Sequence, residues 1–200
     1  METYNLAEVT KLIYGSGFKL FRLKTIRDIL EVKSEVSLKK VVARLVSSNV
    51  LRRLERDKYL LQDAQVSDFE LANFLYSPSY VSLETALNFY GILSQFPYEI
   101  TSVTLKKSIK KEVDGKLFAY MQVKKGLFWG YKKQDGVLIA EPAKALLDQI
   151  YLFSKGLRSI NLDEYDLSGV DKIKIARDWE RFPKVRQTMK VNNLLEKIVR

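Results

Sequence analysis

The apolar residues between positions 37 and 48 follow the spacing of an α-helix. At about 100° per residue, side chains three and four positions apart share one helix face. The apolar stripe consists of Leu38, Val41, Val42, Leu45 and Val46. Ser37 precedes the stripe and can accept a hydrogen bond from a free backbone N–H, whereas Asn49 tolerates the left-handed conformation that ends many helices. The pattern therefore predicts an amphipathic helix between these two residues.

Two helical patterns precede this helix, and a hairpin pattern follows it. The elements are predicted helices at residues 6–14 and 23–32, an extended run at 18–21, and hairpin strands at 51–54 and 59–61. Three helices followed by a β-hairpin form the order of a winged helix-turn-helix domain. The sequence therefore predicts such a domain at residues 1–62.

The face opposite the apolar stripe carries cations, and so does the hairpin. Cations contact phosphates at the rim of a DNA groove, and small residues let a helix approach its floor. We therefore predict DNA contacts from Lys39, Lys40, Arg44, Ser47, Arg52, Arg53, Arg56 and Lys58. Two alternatives remain: a solvated helix face beside a charged turn, and a winged helix that binds protein rather than DNA.

Positive charge is denser in the first third of the chain. Residues 1–62 contain 13 Lys and Arg against 7 Asp and Glu, net +6, whereas residues 63–200 contain 21 against 17, net +4. A basic balance favours a polyanionic partner. The chain contains no cysteine and no histidine, which excludes disulfides, Ser-His-Asp triads and zinc sites built from those residues. We predict a protein that is not an enzyme, with no catalytic residue, no metal and no cofactor.

Residues 63–200 are predicted to form a second domain, after a polar linker at residues 62–66. The predicted strands are residues 98–105, 116–123, 127–132 and 137–140. The predicted helices include residues 83–93 capped by Ser82, a helix that opens at Glu141-Pro142, and residues 184–199 with Pro183 at the start. The predicted fold class is α+β, a winged helix-turn-helix followed by a mixed helical and antiparallel-sheet domain.

A second set of lysines lies between residues 98 and 133, a stretch that contains nine lysines and three acidic residues. Its main members are Lys106, Lys107, Lys110, Lys111, Lys124, Lys125, Lys132 and Lys133. We predict a second basic surface, which extends the DNA footprint or meets RNA or an acidic partner. The alternative is a plain solvated hairpin.

Two runs in the second half resemble a known family. They are YVSLETAL at residues 80–87, with YGIL at 90–93, and IAEPAKALLD at 139–148. With the predicted winged helix in front, the chain resembles the AbiEi family, the antitoxins of type IV abortive-infection toxin–antitoxin systems. The resemblance implies an N-terminal DNA-binding domain that represses its own operon. It also implies a C-terminal domain that counters a nucleotidyltransferase-like toxin, generally without a stable complex. Taken by themselves, the apolar residues of both runs indicate core packing.

The predicted function is therefore that of a transcriptional autorepressor and antitoxin, with double-stranded DNA of its own promoter as partner. Two-fold symmetry suggests inverted repeats, bound by monomers that pair on the DNA. The sequence shows no signal peptide and no apolar run long enough to span a bilayer, so a cytoplasmic protein without a membrane partner is expected. The alternatives are a winged-helix regulator with a ligand- or protein-sensing C-terminal domain, and an RNA-binding accessory protein.

Overall fold

The computed structural model describes residues 5–182 and 189–199, and these residues form a mixed α+β protein. The chain divides into two compact units between Ser67 and Asp68. The predicted division after residue 62 lies slightly earlier. The residues that follow position 62 stay with the first unit because Tyr14 donates to Asp63 Oδ2 at 3.1 Å and Lys19 Nζ donates to the Gln65 carbonyl at 3.0 Å.

In the part that the structure describes, residues 5–67, the first unit contains three helices and a three-stranded antiparallel sheet. The elements are α1 (Leu6–Gly15), β1 (Leu20–Arg22), α2 (Leu23–Leu30), α3 (Glu35–Ser47), β2 (Leu51–Glu55) and β3 (Lys58–Leu61). The sheet order is β1–β3–β2. The extended run before α2 pairs with the hairpin as predicted, with Phe21 opposite Tyr59. Both side chains are buried and join the core formed by the three helices.

Helix α3 confirms the predicted apolar stripe but begins one turn earlier than expected. Leu38, Val41, Val42 and Leu45 are buried, and Val46 is partly buried. Ser34, not Ser37, is the N-cap, and its hydroxyl accepts from the Ser37 backbone N–H at 3.4 Å. Both serines are competent caps, but the earlier cap places Glu35 in the first turn, where the helix dipole favours an acid. Asn49 has a φ of 55°, as its position after the helix predicts.

The second unit contains a six-stranded sheet and five helices among the residues described. The elements are α4 (Asp68–Leu75), β4 (Ser79–Val81), α5 (Leu83–Phe89), β5 (Ile100–Thr104), β6 (Ile109–Val113), β7 (Lys116–Gln122), β8 (Tyr131–Gln134), β9 (Val137–Ala140), α6 (Pro142–Ser154), α7 (Lys172–Trp179) and α8 (Met189–Val199). Two short 3-10 turns complete it, at Lys125–Leu127 and Leu162–Glu164. Residues 183–188, at the start of the helix predicted from 184, lie outside the part that the structure describes.

The sheet of the second unit is mixed, and most of its strand pairs are antiparallel, as the sequence predicts. Its order is β6–β7–β5–β4–β9–β8. The pairs β4–β9 and β5–β7 are parallel, and the other three pairs are antiparallel. The sequence did not predict β4 or β6. Strand β4 is short and buried throughout, and β6 is mostly exposed, so neither carries the alternation that marks a half-buried strand.

Helix α6 is buried along most of its length. Its ten residues from Ala143 to Leu152 are all buried, including Lys144, Asp148 and Gln149. It packs against α5 and α7. Pro142 occupies the first turn, as predicted, where a missing N–H is tolerated. A helix covered on all sides has no solvent face for its polar residues, so these must find partners inside the protein.

Within the residues that the structure describes, no helix combines the length and the apolar character needed to cross a membrane.

Candidate nucleic-acid interface

Helix α3 presents a narrow outward line of mostly small residues. With 3.6 residues per turn, Val36, Lys40, Ala43 and Ser47 lie within about 60° of one another around the axis. All four are exposed, and Val36 is 64% exposed. Val36 was missed by the sequence analysis, because the apolar stripe accounts for the helix period without it. Its high exposure is the signal that it does not belong to the core.

A groove of about 610 Å³ lies between α3 and the β2–β3 hairpin. Four of the predicted contact residues line it, namely Lys39, Ser47, Arg53 and Arg56. Residues two apart on a strand point to the same face. Arg53 therefore shares a face of β2 with the buried Leu51, and this face borders the groove. Tyr59 and Ala43 form part of the apolar lining. The tertiary structure thus places helix and hairpin cations around one concave surface.

Two acidic residues partly balance the cations of this groove. Glu35 pairs with Lys39 at 2.7 Å, and both side chains are 64% exposed. The hydrogen bond and charge of Lys39 lower the pKa of Glu35. Arg56 lies 3.6 Å from Asp57. Exposed ion pairs contribute little to stability, so a phosphate can displace these carboxylates from the cations at small cost.

The other four predicted contact residues lie outside the groove. Lys40 stands on the outward line of α3. Arg44 lies beside Leu6 and Val9 of α1, and Arg52 points to the opposite face of its strand from Arg53. The Lys58 side chain is only 14% exposed and forms an ion pair with Glu55. Of these four, Lys40 lies on the outward line beside the groove.

The predicted second basic surface is divided between the two edges of the six-stranded sheet. Lys110 and Lys111 lie on β6, and Lys132 and Lys133 lie on β8, at opposite ends of the strand order. Five strand spacings separate those edges by about 24 Å. The remaining members are Lys106 and Lys107 before β6, and Lys124 and Lys125 at the turn after β7. These eight lysines therefore do not form one continuous surface.

The lysine pairs on β6 and β8 have a structural explanation. Edge strands expose unpaired backbone groups, and lysines there discourage pairing with another chain. Several of these lysines also have local partners: Lys110 pairs with Glu99 at 2.6 Å, and the Lys106 and Lys111 ammonium groups lie 5.2 and 5.6 Å from the Tyr76 ring centre. Protection of the edges accounts for the two lysine pairs without a ligand.

A buried polar network in the second unit was missed by the sequence analysis. It joins Tyr80, Ser82, Lys144 and Asp148, each no more than 1% exposed. The hydroxyls of Tyr80 and Ser82 each donate to Asp148 Oδ2 at 2.9 Å. Lys144 Nζ donates to Tyr80 Oη at 2.9 Å and forms an ion pair with Asp148 one helical turn away. The available signal was a Lys and an Asp four residues apart in a mostly apolar helix.

The network also corrects the predicted role of Ser82. Its hydroxyl makes no capping bond to α5 and donates to Asp148 instead. The next residue, Leu83, has a φ of 60°, a conformation that bulky residues rarely adopt. The Thr85 backbone N–H in the first turn of α5 donates instead to Thr101 Oγ1 at 3.0 Å. The two runs that carry the family resemblance thus meet at the Asp148 carboxylate.

Burial and partners act in opposite directions on the charged pair. Burial raises the pKa of Asp148, and the positive charge of Lys144 opposes that rise. Burial lowers the pKa of Lys144, and Asp148 opposes that change. The Lys144 ammonium also lies 5.1 Å from the Trp129 ring centre. Gly130, with a φ of 71°, leaves room for this side chain, because a Cβ there would lie 2.9 Å from Lys144 Cγ.

The Tyr80 hydroxyl makes stability sensitive to alkaline pH. Burial, followed by the charge of Asp148, raises its pKa well above 10. The folded state therefore keeps this proton at a pH where the unfolded state has lost it. The Tyr80 hydroxyl thus contributes fully to the free energy of unfolding below about pH 10, and this contribution declines as the pH rises further. We expect the Tyr80→Phe variant to be less stable than the wild type at pH 8. Between pH 8 and pH 11, however, the variant should lose less stability than the wild type loses. Urea denaturation at both pH values measures this difference, and equal losses would contradict it.

No protein-family model matches the chain, and no curated protein matches it. The resemblance to the AbiEi family therefore rests on the two runs quoted above and on the elements that precede them.

Proposed function

We propose that the first unit is a winged-helix domain that binds duplex DNA and that the protein represses transcription of its own operon. The observation that carries this proposal is the groove between α3 and the hairpin, which brings Lys39, Arg53 and Arg56 together beside the outward line of α3. The order of three helices, a hairpin and an antiparallel β1–β3–β2 sheet is that expected of a winged helix.

The outward line of α3 suits the floor of a major groove. Val36 and Ala43 are apolar and small enough to contact the C5-methyl group of thymine, whereas Lys40 can reach a base edge or phosphate. The groove beside this line then receives one phosphate strand between helix and hairpin. Lys39 from the helix side and Arg53 and Arg56 from the hairpin side neutralise it. Two copies on an inverted repeat would place one α3 in each half-site.

The experiment is a titration of the protein against duplex DNA from its own promoter at several salt concentrations. If three to four phosphates are contacted, the logarithm of the association constant should fall with the logarithm of salt at a slope of about −3 to −4. A single strand of the same sequence should compete poorly. Preference for the single strand would favour the RNA-binding alternative, and no binding to either would contradict the proposal.

We also propose that the second unit carries an antitoxin activity against a nucleotidyltransferase-like toxin, without a stable complex. Support comes from the two runs that resemble the AbiEi family. Their residues Tyr80 and Ser82, from one run, and Lys144 and Asp148, from the other, form one buried network, which indicates that the runs act as one structural feature. A repressor of this kind does not require a second unit of such size, so a separate task is expected.

The antitoxin proposal is tested by co-expressing the neighbouring toxin gene with variants of the full chain. We expect Lys39→Ala/Arg53→Ala/Arg56→Ala, which should abolish operator binding, to keep rescuing growth, because the second unit is unchanged. Residues 63–200 expressed alone should also rescue. Loss of rescue in the folded triple variant would mean that neutralisation acts through DNA binding. Failure to find any neighbouring toxin would favour the ligand-sensing or protein-sensing regulator.

A further inference from the structure

A second groove, of about 580 Å³, lies in the second unit between the segment that precedes β5 and the segment that follows α6. Phe96 and Tyr98 line it, and they are 90% and 91% exposed. Two aromatic rings so fully exposed on one short loop indicate a surface that meets a ligand. Nothing in the proposed DNA-binding or antitoxin roles makes use of them.

The floor of this second groove is a layer of charged side chains. Arg158 Nη1 and Nη2 each donate to Glu99 Oε1 at 3.3 Å, and Nη1 lies 3.5 Å from Glu84 Oε1. Lys110 pairs with the other oxygen of Glu99 at 2.6 Å. The carboxylates of Glu84 and Glu99 are therefore spaced to accept a planar guanidinium group, since Arg158 already supplies one.

Two oxygen atoms at this floor have no hydrogen-bond partner among the residues described: Glu84 Oε2 and Gln149 Oε1. Gln149 is 1% exposed, and its amide nitrogen donates to Glu84 Oε1 at 3.0 Å and to the Ser159 carbonyl at 3.2 Å. Those two acceptors fix the orientation of the amide, so the oxygen cannot be exchanged for the nitrogen. Buried acceptors are rarely left unpaired in folded proteins, and two in one groove indicate a missing donor.

The charge of the second groove also favours a cation. Its ionisable lining comprises three carboxylates, from Glu84, Glu99 and Glu164, against the two cations Lys110 and Arg158. One negative charge is therefore not balanced within the lining. A bound monocation would balance it, and the exposed aromatic rings at Phe96 and Tyr98 would attract the same ligand through their π-faces.

We propose that this second groove binds a guanidinium group. A guanidinium is planar, carries five N–H donors and stacks on aromatic rings, so one group can pair with the Glu84 carboxylate, whose side chain is 21% exposed, while it contacts the rings. The guanidinium belongs either to a small metabolite or to an arginine of a partner protein.

The test is an NMR titration of the full chain with butylguanidinium, and with butylurea as a neutral planar control of similar size. We expect saturable shifts from residues 93–98 and 158–165 with butylguanidinium, and binding of butylurea that is weaker by roughly tenfold or more, because its hydrogen bonds are not charge-assisted. Tighter binding of N-acetyl-arginine methylamide would assign the site to a protein arginine. Weaker binding of that compound would assign it to a free metabolite.

Matched variants keep the proposal open to refutation. Glu84→Gln should weaken butylguanidinium binding roughly tenfold, and Glu112→Gln, an exposed carboxylate on β6, should leave it unchanged. If Glu84→Gln does not fold, Phe96→Ala and Tyr98→Ala decide the question, because both rings are almost fully exposed. Each should weaken binding about threefold. Equal binding of butylurea, unaltered affinity in these variants, or no saturable shifts at all would overturn the proposal. DNA binding by the first unit is unaffected by either result.

Discussion

Replacing either member of the buried Lys144–Asp148 pair is expected to destabilise the second unit by about 3–5 kcal/mol. Lys144→Met leaves the Asp148 carboxylate, which is 0% exposed, without its counter-charge. Asp148→Leu leaves the ammonium of Lys144 in the same position and also removes the acceptor of the Tyr80 and Ser82 hydroxyls. Urea denaturation followed by circular dichroism measures both losses.

The double variant Lys144→Met/Asp148→Leu distinguishes the net contribution of the ion pair to stability from the penalty of leaving one buried charge unpaired. Well-packed apolar residues often replace a buried ion pair at little cost, so the double variant should be more stable than the sum of the single losses predicts. The exposed pair Glu35–Lys39 has the same four-residue spacing and provides the control, since its removal should change stability very little. Single variants as stable as the wild type would refute the structural role of the network.

The triple variant Lys39→Ala/Arg53→Ala/Arg56→Ala is expected to lose promoter binding by roughly 10²- to 10³-fold at 0.1 M salt, and its salt slope should fall by about three. All three side chains are exposed and line the groove beside α3, so their truncation should leave the fold intact. Fluorescence anisotropy with promoter duplex measures the affinity, and circular dichroism verifies folding.

A control for net charge is available in the second unit. Lys124→Ala/Lys125→Ala/Lys133→Ala removes the same three charges from exposed positions, and it should leave the salt slope unchanged. Equal losses in the two triple variants would show that overall charge, not the groove, governs binding. An unchanged affinity in the groove variant would exclude this surface as the DNA contact.

The positions of several predicted contact residues could not be inferred from the sequence. Arg52 and Arg53 are adjacent cations and equally plausible contacts, but alternation along β2 directs them to opposite faces, and the packing of α3 decides which face forms the groove. Lys58 has the sequence context of a hairpin-tip cation, but it is mostly buried beside Glu55. Lys110 and Lys132 belong to one stretch of sequence and yet occupy opposite edges of a sheet.

The sequence by itself determined the elements whose signal is local. The stripe of α3, the left-handed Asn49, the proline in the first turn of α6 and the extended run before α2 all follow from contacts within a few residues of the chain. The spacing of apolar residues along the chain reflects such local contacts directly. The α+β class follows from the same kind of signal, because the helical and extended patterns are each read over a single element.

Only the tertiary structure decided which distant elements meet. Strand β4 pairs with β9 through Val81 and Ile139, which are 58 positions apart in the chain, and a buried three-residue strand has no period from which to predict that partner. Lys144 and Asp148 are visibly one turn apart in the sequence, but their burial depends on the elements that cover α6, and Tyr80 and Ser82 reach them from more than 60 residues away. Pairing and burial of this kind depend on the balance of packing across the whole unit, which no local pattern contains.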